Sequence, residues 1–180
     1  MFDCIVVGAG PAGSITAYRL ATQGHSVLLL EKYPLPRYKP CTGAVAPSIA
    51  AWLDFDITPA IDQKLRRIRY TWQLGDPIEA ELETEEPMWV VRRDIFDQCL
   101  VDQALKAGIT FQDSTPVLGI AFQNNAWTVN TEYGTKVGRY LVAADGADGP
   151  MAPWLGFKPA KMRQGYVLEI DLPSPIANPT

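Results

Sequence analysis

The stretch "DCIVVGAGPAG" at residues 3–13 decides the fold of this chain. Its apolar half predicts a short buried strand, and a G-x-G-x-x-G pattern follows that strand directly. The next segment, 14–24, predicts a helix that is closed by Gly24. "SVLLLE" is then a second apolar run, which ends in Glu31. Strand, glycine turn, helix and strand together predict one βαβ unit with a parallel strand pair.

The glycine pattern in this context predicts a dinucleotide-binding turn. Gly8 permits the tight turn, Gly10 lets the backbone approach a pyrophosphate, and Gly13 allows the helix to pack closely on the strand. Pro11 fits an early helical position, where no N–H is needed. The start of the helix, including Ala12, offers unpaired N–H groups and the positive end of the helix dipole to phosphates.

An acidic residue at the end of the second strand completes this pattern. Glu31 follows Gly13 by 18 residues, the spacing at which a carboxylate accepts hydrogen bonds from ribose hydroxyls. Its charge would repel a 2′-phosphate. Lys32, the next residue, is included among the predicted cofactor contacts. The pattern alone does not choose between NAD and FAD.

Composition and charge exclude several classes of function. The 180 residues suffice for one domain or for part of a two-domain protein. A net charge of -4 without a dense Lys/Arg stripe argues against nucleic-acid binding. No apolar run approaches the ~18 residues of a membrane span, which leaves peripheral membrane contact open. Three scattered cysteines favour a reducing, cytoplasmic compartment, and a single histidine gives no support to a metal site.

The middle of the chain predicts short strands and one helix. A helical stretch is expected over roughly 45–56, a strand at "LRRIRYTWQL" (65–74), and another at "MWVVRR" (88–93). If that last strand persists through its arginines, Arg92 and Arg93 point to opposite faces.

A helix and an antiparallel meander are predicted in the second half. Asp94 is expected to cap this helix, Asp97 to lie in its first turn, and Gly108 to end it. Its apolar face is formed by Phe96, Leu100, Ala104 and Ala107. Three alternating segments within 116–141 predict the meander, and the tail at 165–180 predicts one more strand.

Four quoted motifs together resemble a known family. "GAGPAG" with Glu31, "VVRRDIFDQCL" and "VAADGADGP" occur in the order typical of the FAD-dependent para-hydroxybenzoate-hydroxylase-like superfamily. Within it, "YKPCTGAV" resembles the Lys-x-Cys-Gly-Gly loop of the geranylgeranyl reductase family. The resemblance implies an α/β, Rossmann-like FAD-binding domain with a parallel sheet and a β-meander. It assigns 1–64 and 88–160 to that domain, and 65–87 and 161–180 to an incomplete substrate-domain sheet.

The resemblance also implies roles for residues far from the glycine turn. Arg93 matches an arginine that lines the ribityl-phosphate region of the flavin, although two exposed arginines at a strand end are an alternative. Asp145 and Gly146 match the family's Asp-Gly motif, which is associated with FAD pyrophosphate and NAD(P)H. Gly149 and Ala152 stand where that family usually has Ser and Arg. The electron donor, NAD(P)H or another reductant, therefore stays open.

The cysteine loop carries the implied substrate chemistry. In the family this loop lies beside the isoalloxazine ring, so Cys41 is the candidate catalytic residue, and Thr42 and Gly43 are candidate substrate contacts. Thr42 replaces the first glycine of the family's loop, and a plain buried thiol is the alternative for Cys41. Cys4 and Cys99 are predicted to be buried packing residues.

Three functions follow from these implications. The first is a flavin-dependent reductase of isoprenoid C=C bonds, with a small lipid-like substrate. The second is a flavin monooxygenase or halogenase. The third is a nucleotide-binding or protein-interaction module without turnover. The family's downstream Gly-Asp motif does not occur after Gly165, so the resemblance implies the N-terminal half of a flavoenzyme. Whether the isolated chain is an active enzyme, and its oligomeric state, are left open.

Overall fold

The computed structural model describes residues 1–158, 161, 165 and 166. Its strands are β1 Phe2–Val7, β2 Val27–Leu30, β3 Ala44–Val45, β4 Gln63–Leu65, β5 Arg67–Trp72, β6 Gly75–Glu81, β7 Met88–Val90, β8 Thr110–Gln112, β9 Val117–Gln123, β10 Ala126–Thr131 and β11 Gly134–Ala143. Its α-helices are α1 Pro11–Thr22, α2 Arg93–Lys106 and α3 Met151–Trp154.

The chain divides into two compact units. Unit 1 contains Met1–Arg37 and Asp97–Gln164, and unit 2 contains Tyr38–Phe96 and Gly165–Thr180, as far as these ranges are described. The domain boundaries predicted from the sequence, after residues 64 and 87, separate the residues expected to bind the cofactor from those expected to bind the substrate. The two compact units are defined by packing and not by function, so they do not test these boundaries, which stay a prediction.

Unit 1 is built on a six-stranded sheet in the order β8-β2-β1-β11-β10-β9. The first four of these strands run parallel, and β9, β10 and β11 form an antiparallel meander. The predicted fold class, a Rossmann-like parallel sheet with a meander, is confirmed. β1 and β2 are apolar at almost every position because both faces of a parallel sheet are covered.

The core of unit 1 lies on both faces of this sheet. Cys4, Val6 and Leu29 pack on one face with residues of α1 and α2, whereas Ile5 and Leu28 pack on the other face with Val129 of the meander. Burial raises the pKa of the Cys4 thiol, with a smaller contribution from the charge of Asp3. The prediction that Cys4 is a packing residue is therefore confirmed, whereas Cys99 on α2 is only half-buried.

Helix α1 starts at Pro11, three residues before the predicted start. Its end agrees with the prediction: Gly24 has a φ of +87°, its N–H donates to the carbonyl of Ala21, and the His25 N–H donates to the carbonyl of Leu20. This pair of bonds is a Schellman motif, for which glycine is the favoured residue because it has no Cβ.

The junction between β7 and α2 differs from the prediction. The strand ends at Val90, and the helix begins at Arg93 because the Arg92 carbonyl accepts a helical bond from the Phe96 N–H, at 2.8 Å. The predicted extension of the strand through Arg93 is wrong. Asp94 lies within the first turn and is not the N-cap. The guanidinium of Arg92, 2.8 Å away, lowers the pKa of the Asp94 carboxyl.

Unit 2 contains two small antiparallel sheets, with the strand orders β3-β7-β4 and β5-β6. The helical stretch predicted over roughly 45–56 is confirmed only in part: a 3₁₀ helix covers Pro47–Trp52, and β3 ends at Val45. The strand predicted at 65–74 corresponds to β5 and the end of β4. The strand predicted in the tail lies outside the described residues, apart from Gly165 and Tyr166. Among the described residues, no helix is long and apolar enough to span a membrane.

Candidate functional site

The carboxyl ends of the parallel strands in unit 1 gather the predicted cofactor motifs. β1 runs into Gly8, β2 runs into Glu31, and β11 runs into Asp145. Because parallel strands end at one edge of the sheet, motifs far apart in sequence meet there. Gly8 bonds to β2 through its N–H and the Leu30 carbonyl, at 2.7 Å.

Gly8 packs directly against the Asp-Gly segment. Its φ is +102°, and a Cβ added to it would lie 2.4 Å from the carbonyl oxygen of Ala144 and 2.9 Å from the Cα of Asp145. Only glycine combines this backbone conformation with so close an approach. The structure therefore brings the first and the last of the predicted cofactor motifs into contact.

Gly13 closes the turn from the other side. A Cβ at this position would lie 1.8 Å from the carbonyl oxygen of Gly8 and 3.2 Å from the Cβ of Ala144. The predicted role of Gly13 in close helix packing thus has a geometric basis. Helix α1 can lie against β1 only without a side chain here.

The start of α1 fits a pyrophosphate. Gly10 is the N-cap residue and provides no capping side chain, and Pro11 and Ala12 open the first turn. The first-turn N–H groups of a helix have no intrahelical acceptors, so they can bind an anion. The Ser14 hydroxyl is fully buried and has no partner among the described residues. The residues present therefore fit the phosphates of a dinucleotide.

Glu31 is a buried carboxylate at the end of β2, only 5% exposed. Its Oε2 accepts a hydrogen bond from the Ala9 N–H at 2.9 Å, and its Oε1 accepts one from the Tyr33 N–H at 3.2 Å. Each carboxylate oxygen has two lone pairs, so acceptor capacity remains. Glu31 also lines the cavity at this edge, as a ribose contact requires.

Sequence reasoning missed Arg37, the third partner of Glu31. Its Nη2 lies 3.4 Å from Glu31 Oε2, and its Nη1 lies 2.8 Å from an oxygen of Asp97, which is completely buried. A signal for this network was present in the sequence. Asp97 falls on the same buried stripe of α2 as Val101 and Ala104, where a carboxylate needs a partner.

A cavity of about 100 Å³ lies at this edge of unit 1. This volume is below the about 300 Å³ of small ligand pockets, so it would hold one portion of a dinucleotide. Lys32 is at its rim, with its ammonium 4.9 Å from the ring centre of Tyr33. The lining comprises Val7, Gly8, Leu30, Glu31, Lys32, Thr115, Pro116, Val117, Asp145, Gly149, Pro150 and Met151.

The Asp-Gly turn explains one departure from the resembled family. Asp145 Oδ2 accepts a hydrogen bond from the Met151 N–H at 2.9 Å. A Cβ at Gly149 would lie 1.9 Å from that same oxygen, so the serine usual at this place does not fit with this conformation of Asp145. Gly146 follows with a φ of +89°.

The cysteine loop and Arg93 belong to unit 2. The half-buried Cys41 accepts a hydrogen bond at its Sγ from the Gly43 N–H, at 3.4 Å, and Thr42 is exposed. Gly43 has a φ of +72°, and its Cβ would lie 2.3 Å from the Val91 carbonyl oxygen, so this glycine has a structural role. Arg93 is half-buried at the start of α2.

Comparisons with known proteins agree with this geometry. The profile of the family described as "FAD dependent oxidoreductase" matches residues 3–94. An uncharacterised protein of Methanosarcina barkeri is 30% identical over 96% of this chain and 44% of its own length. A digeranylgeranylglycerophospholipid reductase of Methanocaldococcus jannaschii is 31% identical over 89% of this chain and 42% of its own length.

Solved structures show the same fold. A geranylgeranyl bacteriochlorophyll reductase-like protein from Thermoplasma acidophilum superposes with a TM-score of 0.73, is 28% identical, and shares 87% of this chain and 42% of its own. The halogenase PltM in complex with phloroglucinol and FAD superposes with a TM-score of 0.68. It is 18% identical, shares 86% of this chain and 36% of its own, and so supports the fold alone.

The chain spans about two fifths of the length of these curated relatives. The predicted resemblance to FAD-dependent oxidoreductases, with geranylgeranyl reductases among the relatives, is confirmed, and so is FAD as the cofactor. The site at the edge of unit 1 carries the residue types that this cofactor needs. The chain belongs to the FAD dependent oxidoreductase family.

Proposed function

We propose that this chain is the FAD-binding portion of a reductase that acts on the C=C bonds of an isoprenoid lipid. The observation that carries the proposal is the likeness to named digeranylgeranylglycerophospholipid reductases across almost the whole chain, including the region of the cysteine loop. Because the chain spans about two fifths of these relatives, the activity is proposed for the whole protein.

Each cofactor contact has a task in this proposal. The N–H groups at the start of α1 bind the pyrophosphate, Glu31 accepts hydrogen bonds from ribose hydroxyls, and Lys32 lies at the adenosine end. Asp145 and Gly146 approach the phosphates from the opposite side of Gly8. Arg93 contacts the phosphate end of the ribityl chain, for which a guanidinium is suited. When bound and reduced by the electron donor, NAD(P)H or another reductant, the flavin would supply the hydride for the reduction.

Cys41 is proposed to act on the substrate side of the flavin. Its thiol would pack on the ring or donate the proton that, with the hydride from the reduced flavin, completes the reduction of the C=C bond, with Thr42 and Gly43 beside the substrate. Residues 65–87 and 161–180 are proposed to contribute strands to the substrate domain. The remainder, 1–64 and 88–160, would be the cofactor domain.

Binding to the chain itself tests the cofactor part of the proposal. Titration with FAD, ADP and NAD, followed by flavin fluorescence or calorimetry, should show a preference for FAD and ADP. Glu31→Gln should weaken ADP binding by roughly 1.5–3 kcal/mol, the value of a hydrogen bond to a charged group. A clear preference for NAD would contradict the proposal.

Half-reactions of the whole protein test the substrate part. Cys41→Ala should slow reoxidation of the reduced flavin by a geranylgeranyl lipid more than it slows flavin reduction, in stopped-flow absorbance. If the variant and the wild type reoxidised the flavin at equal rates, Cys41 would be only a packing residue. Substrate-dependent consumption of O₂ in place of alkene reduction would favour the monooxygenase alternative.

A further inference from the structure

A buried ion network of unit 1 includes three residues, Glu31, Arg37 and Asp97. Arg37 is only 11% exposed, and the two carboxylates that it bridges are 5% and 0% exposed. Such a group of charges is retained in an interior only when its members are well paired. One of the three, Glu31, already has a place in the cofactor site. The other two have none.

The geometry of the guanidinium links Asp97 to Glu31. One terminal nitrogen of Arg37 lies 2.8 Å from Asp97, and the other lies 3.4 Å from Glu31. Because the guanidinium is a rigid planar fork, the stronger bond to Asp97 sets the direction in which Arg37 approaches Glu31. A lysine has one point charge and cannot span both carboxylates in this way.

The two oxygens of Glu31 are used unequally. Among the described residues, Oε2 accepts hydrogen bonds from Arg37 and from the Ala9 N–H of the glycine turn, whereas Oε1 accepts the 3.2 Å bond from the Tyr33 N–H. Arg37 and Ala9 therefore hold one oxygen inside the protein, and the other retains acceptor capacity.

We propose that Arg37, anchored by Asp97, is a positioning residue that holds Glu31 in the orientation required to accept hydrogen bonds from ribose hydroxyls. The ribose contact is thus organised before the nucleotide arrives, which lowers the cost of binding. This inference rests on the assignment of the site to the adenosine half of FAD, but not on the identity of the substrate.

The test compares ADP with 2′,3′-dideoxy-ADP, which lacks both ribose hydroxyls, on the wild-type chain and its variants. The ratio of the two dissociation constants measures the ribose contact alone. We expect about a tenfold ratio or more for the wild type, in line with hydrogen bonds to a charged group. Glu31→Gln, which removes the charged acceptor, should give the lowest ratio of the two dissociation constants. The ratio for Arg37→Met should lie within about threefold of the ratio for Glu31→Gln.

Amide hydrogen exchange gives a second readout without any ligand. In Arg37→Met and Asp97→Asn, the Ala9 amide should exchange about tenfold faster or more, since its acceptor is no longer held. The Val6 amide, in the middle of β1, is the control and should be unchanged. Arg37→Lys should give intermediate values in both measurements. It also serves as the variant of choice if Arg37→Met does not fold.

Two outcomes would overturn the inference. In the first, Arg37→Lys and Asp97→Asn have the same ratio of dissociation constants as the wild type, and the Ala9 amide exchanges at the wild-type rate. The other is equal acceleration at Ala9 and Val6, which would make the network a general support of the fold. Failure of the wild type to bind either nucleotide would overturn it together with the cofactor site. If the wild-type whole protein bound both nucleotides as expected but did not reduce alkenes, only the proposed function would be contradicted.

Discussion

In unit 1, β1 and β2 bury every residue of their second halves, whereas in unit 2 the hairpin of β5 and β6 leaves Tyr70, Trp72 and Ile78 more than half exposed. The parallel strands are covered on both faces by helices and the meander. The hairpin has an apolar face, formed by cross-strand pairs such as Tyr70 with Ile78, and these side chains remain largely exposed among the described residues.

The two regions are stabilised by different interactions. In unit 1 the cofactor edge is fixed by packing and by backbone contacts too close to admit a Cβ. In unit 2 the hairpin is held chiefly by backbone pairing, and two-stranded hairpins are only marginally stable alone. We therefore expect substitutions in unit 1 to change both stability and nucleotide binding. Equivalent substitutions on the hairpin should change neither by much.

The largest contrast is expected from isoleucine truncation. Ile5→Ala should reduce the free energy of unfolding by about 4 kcal/mol, because its side chain is fully buried in β1 and a cavity would remain. Ile78→Ala should cost about 0.5 kcal/mol or less, since that side chain is 67% exposed. Urea unfolding of both variants measures the two values. Similar losses would show that the hairpin depends on its own side-chain packing after all.

A glycine substitution at the cofactor edge should follow. Gly13→Ala would place a Cβ 1.8 Å from the Gly8 carbonyl oxygen, so we expect a loss of about 3 kcal/mol in unfolding free energy and no measurable FAD binding. Gly119→Ala is the matched control in the same unit, since nothing lies within 4 Å of its added Cβ. FAD binding by Gly13→Ala with near wild-type affinity would contradict the close packing of α1.

The comparison extends to the glycine of the cysteine loop. Gly43→Ala and Gly108→Ala share the strain of a positive φ, but only Gly43 would also meet a carbonyl oxygen, at 2.3 Å. We expect Gly43→Ala to be the more destabilising by about 2 kcal/mol. Exchange of the Val91 amide, which bonds to the Gly43 carbonyl, reports the effect locally. If the two variants lost equal stability, φ strain alone would account for both.

The smallest effect is expected from two surface carboxylates, one in each unit. Hydrogen bonds from Ser26 lower the pKa of Asp3, and hydrogen bonds from Thr58 lower the pKa of Asp56. In both cases the pKa falls below 3.8, the ordinary value of an aspartate. A lowered pKa in the folded state means stabilisation that is present above 3.8 and is lost as the pH falls through the lower, folded value. Wild-type stability should therefore decline as the pH falls below 3.8.

The asparagine variants of these carboxylates should show a shallower decline in that range, measured by urea unfolding at a series of pH values. We expect a clearer change for Asp3→Asn, because Asp3 joins the starts of β1 and β2, than for Asp56→Asn in its local turn. If the unfolding free energies of Asp3→Asn and the wild type depended on pH in the same way, the hydrogen bonds between Asp3 and Ser26 would not contribute to the stability of unit 1.

Local patterns were sufficient to predict the cofactor side of the fold. The βαβ unit follows from apolar runs and glycine spacing, and Gly24 and Gly108 end their helices as predicted. The convergence of Gly8 with Asp145 was implied by family resemblance only. Local pattern alone does not show that a Cβ added at Gly8 would lie only 2.4 Å from the carbonyl oxygen of Ala144.

The failures have a common physical cause, since they depend on contacts distant in sequence or on small differences between local structures. Arg37 lies among prolines without periodicity, and its partner Asp97 is 60 residues away. The apolar residues at 45–56 suit a helix by composition, yet the segment forms only a short 3₁₀ helix that starts at Pro47. The alternation in "MWVVRR" continues past Val90, where helical hydrogen bonding takes over.

The ion pair of Arg37 and Asp97 has a consequence for how this chain can change length. Arg37 is the last residue of unit 1 before Tyr38–Phe96, and Asp97 is the first after it. The two residues that flank the segment are therefore tied together by their side chains, through the 2.8 Å contact between Arg37 Nη1 and Asp97 Oδ2. Loop-closure entropy changes slowly with length, and insertions are tolerated best where the two ends of a segment are close. Evolution could lengthen, shorten or exchange this segment with little disturbance to the dinucleotide fold that carries it.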